Sequence, residues 1–302
     1  MADVQLIPSA AIDQNKWNKC ILAHEEGMIY HHCFYLDALC DHWIGLVVDD
    51  YNAVMPLPWR KKLGIRYLYT PPFLQQTGLI GETNEVTREK IKETIFRSFT
   101  YGDMYLNWKN RSFDTTTKEK TNLIIDLNVA YDQLSSNYKK DLIYNLTKAG
   151  KAQLLYEKDK DFSFVIQHYK HYYGNRIPHV RNKDYEKLER LCNDLQERNK
   201  LEIRIVRKNN KEIVAAALLM KDQRRLYNII NITTAQGRDI EANHFLYDRI
   251  MHEFAESALL FDFEGSELPG VKQFYEKFSP IYQPYYHWHF NQLPWPIRLL
   301  KR

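Results

Sequence analysis

Cysteine is scarce. Cys20, Cys33, Cys40 and Cys192 are the only four in 302 residues, and none sits in a Cys-x-x-Cys spacing, so no disulfide framework is read. Long apolar runs are missing as well. The longest, Ile213 to Met220, falls far short of the roughly 20 residues that span a bilayer, so no membrane span is expected. No basic segment followed by an apolar one opens the chain; a signal peptide is not read, and a cytoplasmic location is expected. Charge of one sign is not in excess either, since 42 Lys and Arg face 38 Asp and Glu for a formal +4. That surplus permits phosphate-rich partners without arguing for them, and no DNA partner is expected.

The familiar chemical signatures are absent too. There is no GxxxxGK[ST], no GxGxxG after a strand and no GxSxG elbow. His252-Glu253-Phe254-Ala255-Glu256 approaches HExxH but has Glu where the second ligand belongs. His244, Asp248 and His252 fall on one helical face, which reads as the solvated side of a helix whose other side carries Ala242, Leu246, Ile250 and Phe254. His287 and His289 alternate on one strand face. No metal is assigned to either set.

What remains is ample material for a core: 44% hydrophobic residues and 14% aromatics, with 21 tyrosines. The patterning predicts a helix over 13–26, a hairpin from Trp43–Val48 and Ala53–Leu57, and a strand at Ile65–Tyr69. The loop PPFLQQTGLIGE, a helix over 85–99 and a strand over 104–108 follow. A polar, Thr-rich stretch then suggests a boundary, giving units 1–115 and 116–302. Beyond it come a strand at 123–127 and helices over 135–149, 162–173 and 184–199. A hairpin (Leu201–Val206, Glu212–Met220), a strand at Leu226–Ile232, a polar loop and helix, and a strand at Leu259–Phe263 come next, and Ile281–Phe290 reads as a last strand. Hairpin, strand, Gln- and Gly-bearing loop, helix, strand thus occurs twice. The class expected is α/β (α+β): two tandem units, each a mixed, mostly antiparallel sheet flanked by helices.

Several pieces carry a family resemblance. In the first half they are AVMPLP at 53–58, Lys61-Lys62 with Gly64, and PPFLQQTG at 71–78. In the second they are the hairpin around Lys211, Tyr227-Asn228, Gly237-Arg238, Ala242-Asn243 with Phe245-Leu246, and FDFEGS followed by PGVKQFYEKF. In this order they resemble the GNAT acyl-CoA N-acyltransferases, and more narrowly the FemAB-like branch with two GNAT units in tandem. The resemblance covers most of the chain and implies attack by an amine on an acyl thioester or aminoacyl ester. The donor implied is acyl-CoA or aminoacyl-tRNA, a co-substrate and not a tightly bound cofactor. The acceptor is a small-molecule or peptide amine, and tRNA is a partner only as carrier of the donor. In ordinary GNAT proteins the phosphate loop reads Q/R-x-x-G-x-G/A. Gln236-Gly237-Arg238-Asp239-Ile240 keeps part of it and lacks the second glycine, and Asp239 or Glu241 beside a pyrophosphate is unfavourable.

On this likeness Glu264, at the end of an apolar strand, is the candidate base, with Asp262 alternating beside it. Tyr275 is the candidate acid for the leaving group, against a plain packing role with Val271 and Phe278. Asn228, polar in an apolar strand, joins them as a catalytic candidate. Thr234, Gln236, Gly237, Arg238 and Asn243 are the donor-binding candidates, with solvent exposure the plain alternative for Arg238. Lys61, Gln76 and Tyr227 are the substrate-binding candidates, the first two in the cleft between units. The alternative is a non-catalytic GNAT-fold protein binding a peptide or cell-wall precursor; a nucleic-acid binder is the weaker third.

Overall fold

The computed structural model describes residues 2–298 apart from 112, 115, 210, 266 and 297, so Asn210 of the hairpin turn and Ser266 of FDFEGS lie outside the described residues. In chain order the elements begin with β1 (Val4–Pro8), α1 (Gln14–Ala23), α2 (Cys33–Leu39), β2 (His42–Val48), β3 (Ala53–Lys62) and β4 (Ile65–Tyr69). Then come α3 (Glu85–Ser98), β5 (Tyr101–Leu106), β6 (Lys118–Lys120), β7 (Leu123–Asp126), α4 (Tyr131–Ser136), α5 (Lys140–Gly150) and β8 (Leu155–Asp159). The next are α6 (Phe162–Tyr173), α7 (Asn182–Glu197), β9 (Leu201–Arg207), β10 (Ile213–Lys221), β11 (Arg225–Thr233) and α8 (Ala235–Asp239). The last are α9 (Ala242–Phe254), β12 (Leu260–Asp262), α10 (Pro269–Glu276), β13 (Ile281–Tyr282) and β14 (Tyr285–Asn291).

Two compact units result, Met1–Lys120 with Pro284–Arg302, and Thr121–Gln283. The division differs from the expected 1–115 and 116–302 mainly at the end of the chain. The strand expected over 281–290 is two strands, broken at Gln283-Pro284, and the pieces go to different sheets. β13 pairs with β7 in unit 2, whereas β14 pairs with β5 and β6 in unit 1. Proline lacks the N–H a ladder needs, which makes the break there reasonable.

Unit 1 is a seven-stranded sheet in the order β1-β2-β3-β4-β5-β14-β6. Its helices start where short polar side chains satisfy open amides: Asp13 caps α1 through the N–H groups of Asn15 and Lys16, and Asn84 caps α3 through that of Thr87. α3 lays Ile91 and Ile95 against Leu46, Met55, Leu57, Leu68, Met104 and Trp288. Burying such side chains contributes about 1.5–3 kcal/mol each.

Unit 2 is a second seven-stranded sheet, β13-β7-β12-β11-β10-β9-β8. Its core joins Leu226 and Leu219 of the sheet to Leu246, Tyr247, Ile250 and Met251 of α9 and to Tyr275 and Phe278 near α10. The two units repeat one pattern. Three antiparallel strands (β2-β3-β4; β9-β10-β11) lead through a helix to a strand parallel to the third (β4 with β5; β11 with β12). The helix expected over 135–149 is two helices, α4 and α5, around Asn137 to Lys139. The face of the helix over 242–254 read as solvated is so only at its end: His252 is exposed, but His244 and Asp248 are buried, Asp248 taking the Tyr131 hydroxyl at 2.6 Å and Arg249 at 2.7 Å. Among the described residues no group of three His, Cys, Asp or Glu could hold a metal, and no helix is long and apolar enough to cross a membrane.

Candidate functional site

The parallel pair β11/β12 is short. Only Arg225 to Tyr227 lie opposite Leu260 to Asp262, and beyond Asn228 β11 runs on to Thr233 without β12. A buried ion pair pins the strands at their shared end. The guanidinium of Arg225 meets Asp262 at 2.8 Å and Gln283 at 2.7 Å, and Asp262 also accepts from Asn122 and from the backbone N–H of Glu264, each at 3.0 Å. Asp262 is therefore a structural anchor that meets the partner requirement of a buried carboxylate. Its bond to the Glu264 amide fixes a sharp turn in which Glu264 and Gly265 both take positive φ, 65° and 63°. Glu264 ends half-buried just past the strand.

Where the strands part, three polar side chains meet inside an aromatic shell. Asn228 donates to the Tyr247 hydroxyl at 2.7 Å, and the Tyr275 ring lies beside Tyr247, centroids 6.0 Å apart, close enough for the two phenols to bear on each other electrostatically. Phe263 stacks on Tyr275 with ring centroids 4.3 Å apart, and Tyr247 stands edge-on to it. Burial pushes the Tyr275 phenol up to about 12, opposed by the neighbouring polar groups of Tyr247 and Asn228 and assisted by the nearness of Tyr169 and Glu264. Burial drives the Tyr247 phenol well above its ordinary range too. Both phenols keep their protons at neutral pH. The Asn228 oxygen, in a residue 4% exposed, has no hydrogen-bond partner among the described residues. A buried acceptor left open costs about 1–3 kcal/mol, which a ligand N–H or O–H would relieve.

The loop after β11 is less open than its sequence implies. Thr234 caps α8 by accepting from Gly237 N–H at 3.0 Å. Gly237 is needed for packing: a Cβ there would lie 2.2 Å from the Val214 carbonyl oxygen of β10. Arg238 turns back to bond the Thr233 carbonyl at 2.9 Å, and Gln236 stays exposed near Lys208. Asn243 accepts from Asn231 at 2.9 Å. Glu241 opens α9 in a left-handed conformation, paired to Lys148 at 2.9 Å and to His244 at 3.0 Å. Its carboxylate thus sits at the helix end that would otherwise favour an anion.

Asn228, Tyr275 and Glu264 therefore lie near one another, Thr234, Gly237 and Arg238 follow β11 in α8 and its cap, and Asn243 lies in the first turn of α9. Tyr227 does not join them. It points to the other face of the sheet, fully buried, with its hydroxyl on Asp222 at 2.5 Å. Lys61 is exposed at the β3–β4 hairpin tip, whereas Gln76 is buried beside Gln75 in the loop leading back to Ile80, which bridges the far end of β3. Sequence reasoning missed Tyr247 and the α6 tyrosines Tyr169 and Tyr173, which bear electrostatically on Tyr275 and Tyr247. A tyrosine beside Leu246 in the apolar stripe of α9 was the available signal.

Residues 136–274 match the family model of an acetyltransferase (GNAT) domain. In structure the chain is similar to FemX, with a TM-score of 0.66 at 12% identity over 98% of this chain and 99% of that one. It is similar to a tandem GNAT protein from the clavulanic acid biosynthesis pathway (TM-score 0.57, 7% identity, 97% of this chain and 99% of that one). It is also similar to the C-terminal domain of a lysylphosphatidylglycerol synthetase from Agrobacterium fabrum (TM-score 0.56, 12% identity, 95% and 94%). No curated protein matches in sequence.

Proposed function

We propose, from the premise that the chain has the FemAB-like tandem GNAT fold with an acetyltransferase domain at 136–274, that it is an N-acyltransferase. It moves an acyl or aminoacyl group from acyl-CoA or aminoacyl-tRNA to an amine acceptor. The observation that carries this reading is the Asn228–Tyr247 hydrogen bond with the buried Tyr275 phenol beside it, at the parting of β11 and β12 and within the field of Glu264.

The amine nitrogen attacks the carbonyl carbon, a C–N bond forms, and the bond to sulfur or to the ribose oxygen breaks. Glu264 takes the proton lost by the amine; Tyr275, held protonated by its burial, gives its proton to the departing atom. The open oxygen of Asn228 accepts an N–H of one substrate and orients it. Thr234, Gly237, Arg238 and Asn243 form the donor side of the site, and Gln236 its exposed rim.

One observation favours a second reading. Arg238 is spent on its own backbone and Glu241 occupies the start of α9, as a non-catalytic binding protein with a decayed phosphate loop would have them.

The test is a panel of acyl-CoA and aminoacyl donors followed by thermal shift and by transfer to amines. A stabilising donor at 100 times its Kd adds about 2.7 kcal/mol of apparent stability. Transfer that disappears in Tyr275→Phe while donor binding persists supports the enzyme, and binding without any transfer supports the second reading. A flat response to the whole panel counts against both donor classes.

A further inference from the structure

Between Asp161 and Asp184 the chain has no acidic residue at all, although 38 acids are spread over its 302 positions. The stretch holds Lys170, Arg176, Arg181 and Lys183 with His168, His171 and His179. It forms α6, the connection to α7 and the first residues of α7, and all four cations are exposed. An evenly mixed surface is the usual arrangement, so a run of one sign this long creates a local positive potential.

This run leads to the site. α6 packs against β11, and its Tyr169 and Tyr173 bear on the Tyr275 and Tyr247 phenols. The two tyrosines lie 5.3 Å apart, and the Arg176 guanidinium sits 5.7 Å from the Tyr173 ring centre. Lys170 is likewise 5.7 Å from the Tyr185 ring. Rings of this kind steady a cation without neutralising it. The loop expected to hold phosphate is the poorer place, with Glu241 at the start of α9 and Arg238 bonded to Thr233.

We propose that the acid-free arch from Phe162 to Lys183, through Arg176 and Arg181, binds the phosphate groups of a substrate whose reacting end lies at Tyr275. The inference rests on the acyl-transfer reading for the word substrate, but the site itself is testable without catalysis. Phosphate chemistry of this kind has two sources, the donor or a phosphorylated amine acceptor.

Inorganic pyrophosphate is the probe, titrated by calorimetry into the full chain and into Arg176→Ala, Arg181→Ala and, as a charge control, Arg97→Ala, which removes an exposed guanidinium of α3 paired to Glu93. Losing one charge-assisted contact weakens binding about tenfold, so the first two variants lose that much and Arg97→Ala stays as wild type. Wild-type affinity in both arch variants, equal weakening in Arg97→Ala, no saturable binding, or retention only of a single-stranded RNA oligonucleotide overturns the proposal. Kinetics then separate the sources. If Arg176→Ala raises the KM for acetyl-CoA but not for acetyl-pantetheine, the donor supplies the phosphates. A raised KM for O-phosphoethanolamine but not ethanolamine assigns them to the acceptor. Pyrophosphate binding without any transfer leaves the arch standing and removes the acyl-transfer reading.

Discussion

Replacing Asp262 by Asn keeps its volume but removes the charge that Arg225 faces. Both side chains are buried, 0% and 2% exposed, and the guanidinium also bonds the neutral Gln283 amide at 2.7 Å and lies within the field of Asp222. Breaking a buried pair by removing one of its charges costs about 3–5 kcal/mol. With an m-value of about 2–3 kcal/mol/M in urea, the unfolding midpoint falls by about 1–2 M. The assay has a built-in control, because all six tryptophans lie in unit 1, at positions 17, 43, 59, 108, 288 and 295. Circular dichroism follows both units, whereas tryptophan fluorescence follows unit 1. The CD transition should move to lower urea. Replacing the pair together, Arg225→Met with Asp262→Leu, should recover most of the loss, since two apolar side chains need no partner. A change under about 1 kcal/mol in Asp262→Asn, or a double variant no better than the single one, refutes the idea that this pair pins β11 to β12.

Tyr275→Phe should lower turnover by about a hundredfold or more with the fold intact, because a positioned general acid contributes about 10²–10⁴; steady-state rates within twofold of wild type remove the acid role. Burial raises the Tyr275 and Tyr169 phenols to about 12 from the ordinary 10. Their contribution to stability is therefore present below pH 10 and is lost as pH rises from 10 to 12, a slope that urea titrations should find flattened in Tyr275→Phe. Glu253 has the opposite sign. Burial alone would raise it, but hydrogen bonds from Arg204, Lys158 and Tyr156 take it from 4.5 to about 2. Stability should fall between pH 4.5 and 2 in the wild type and change less over that range in Glu253→Gln. Gly237→Ala, whose methyl would press on the Val214 carbonyl at 2.2 Å, should lower Tm and disturb the loop from Thr234 to Asp239, as amide exchange there would report.

The repeated order of strands and helices was legible because each strand announces itself by an apolar run and each break by Asp, Asn, Gly or Pro. The hairpins at Asp49 to Asn52 and around Lys211 are cases, and both lie in the structure where the turns were read. Asn228 was legible for the same reason, as one amide in an apolar strand. Partners distant in sequence were not. Nothing local tells that Asp262 closes on Arg225, that Tyr247 reaches Tyr275, or that Arg238 folds back on Thr233, because each depends on how elements pack. The burial of His244 and Asp248 was misread on similar grounds: helical spacing gives a face but not what covers it, here α4 and α5 through Tyr131 and Asn145.

β14 gives the order of synthesis a physical meaning. Unit 2 is one uninterrupted segment, whereas the first unit's sheet waits for Tyr285–Asn291 to reach β5 and to bring in β6, which among the described residues pairs with β14 alone. On a ribosome the second unit can therefore settle first, while β5 still presents an open edge able to pair with other chains. The start of the chain must hold that edge out of trouble until its end has been made.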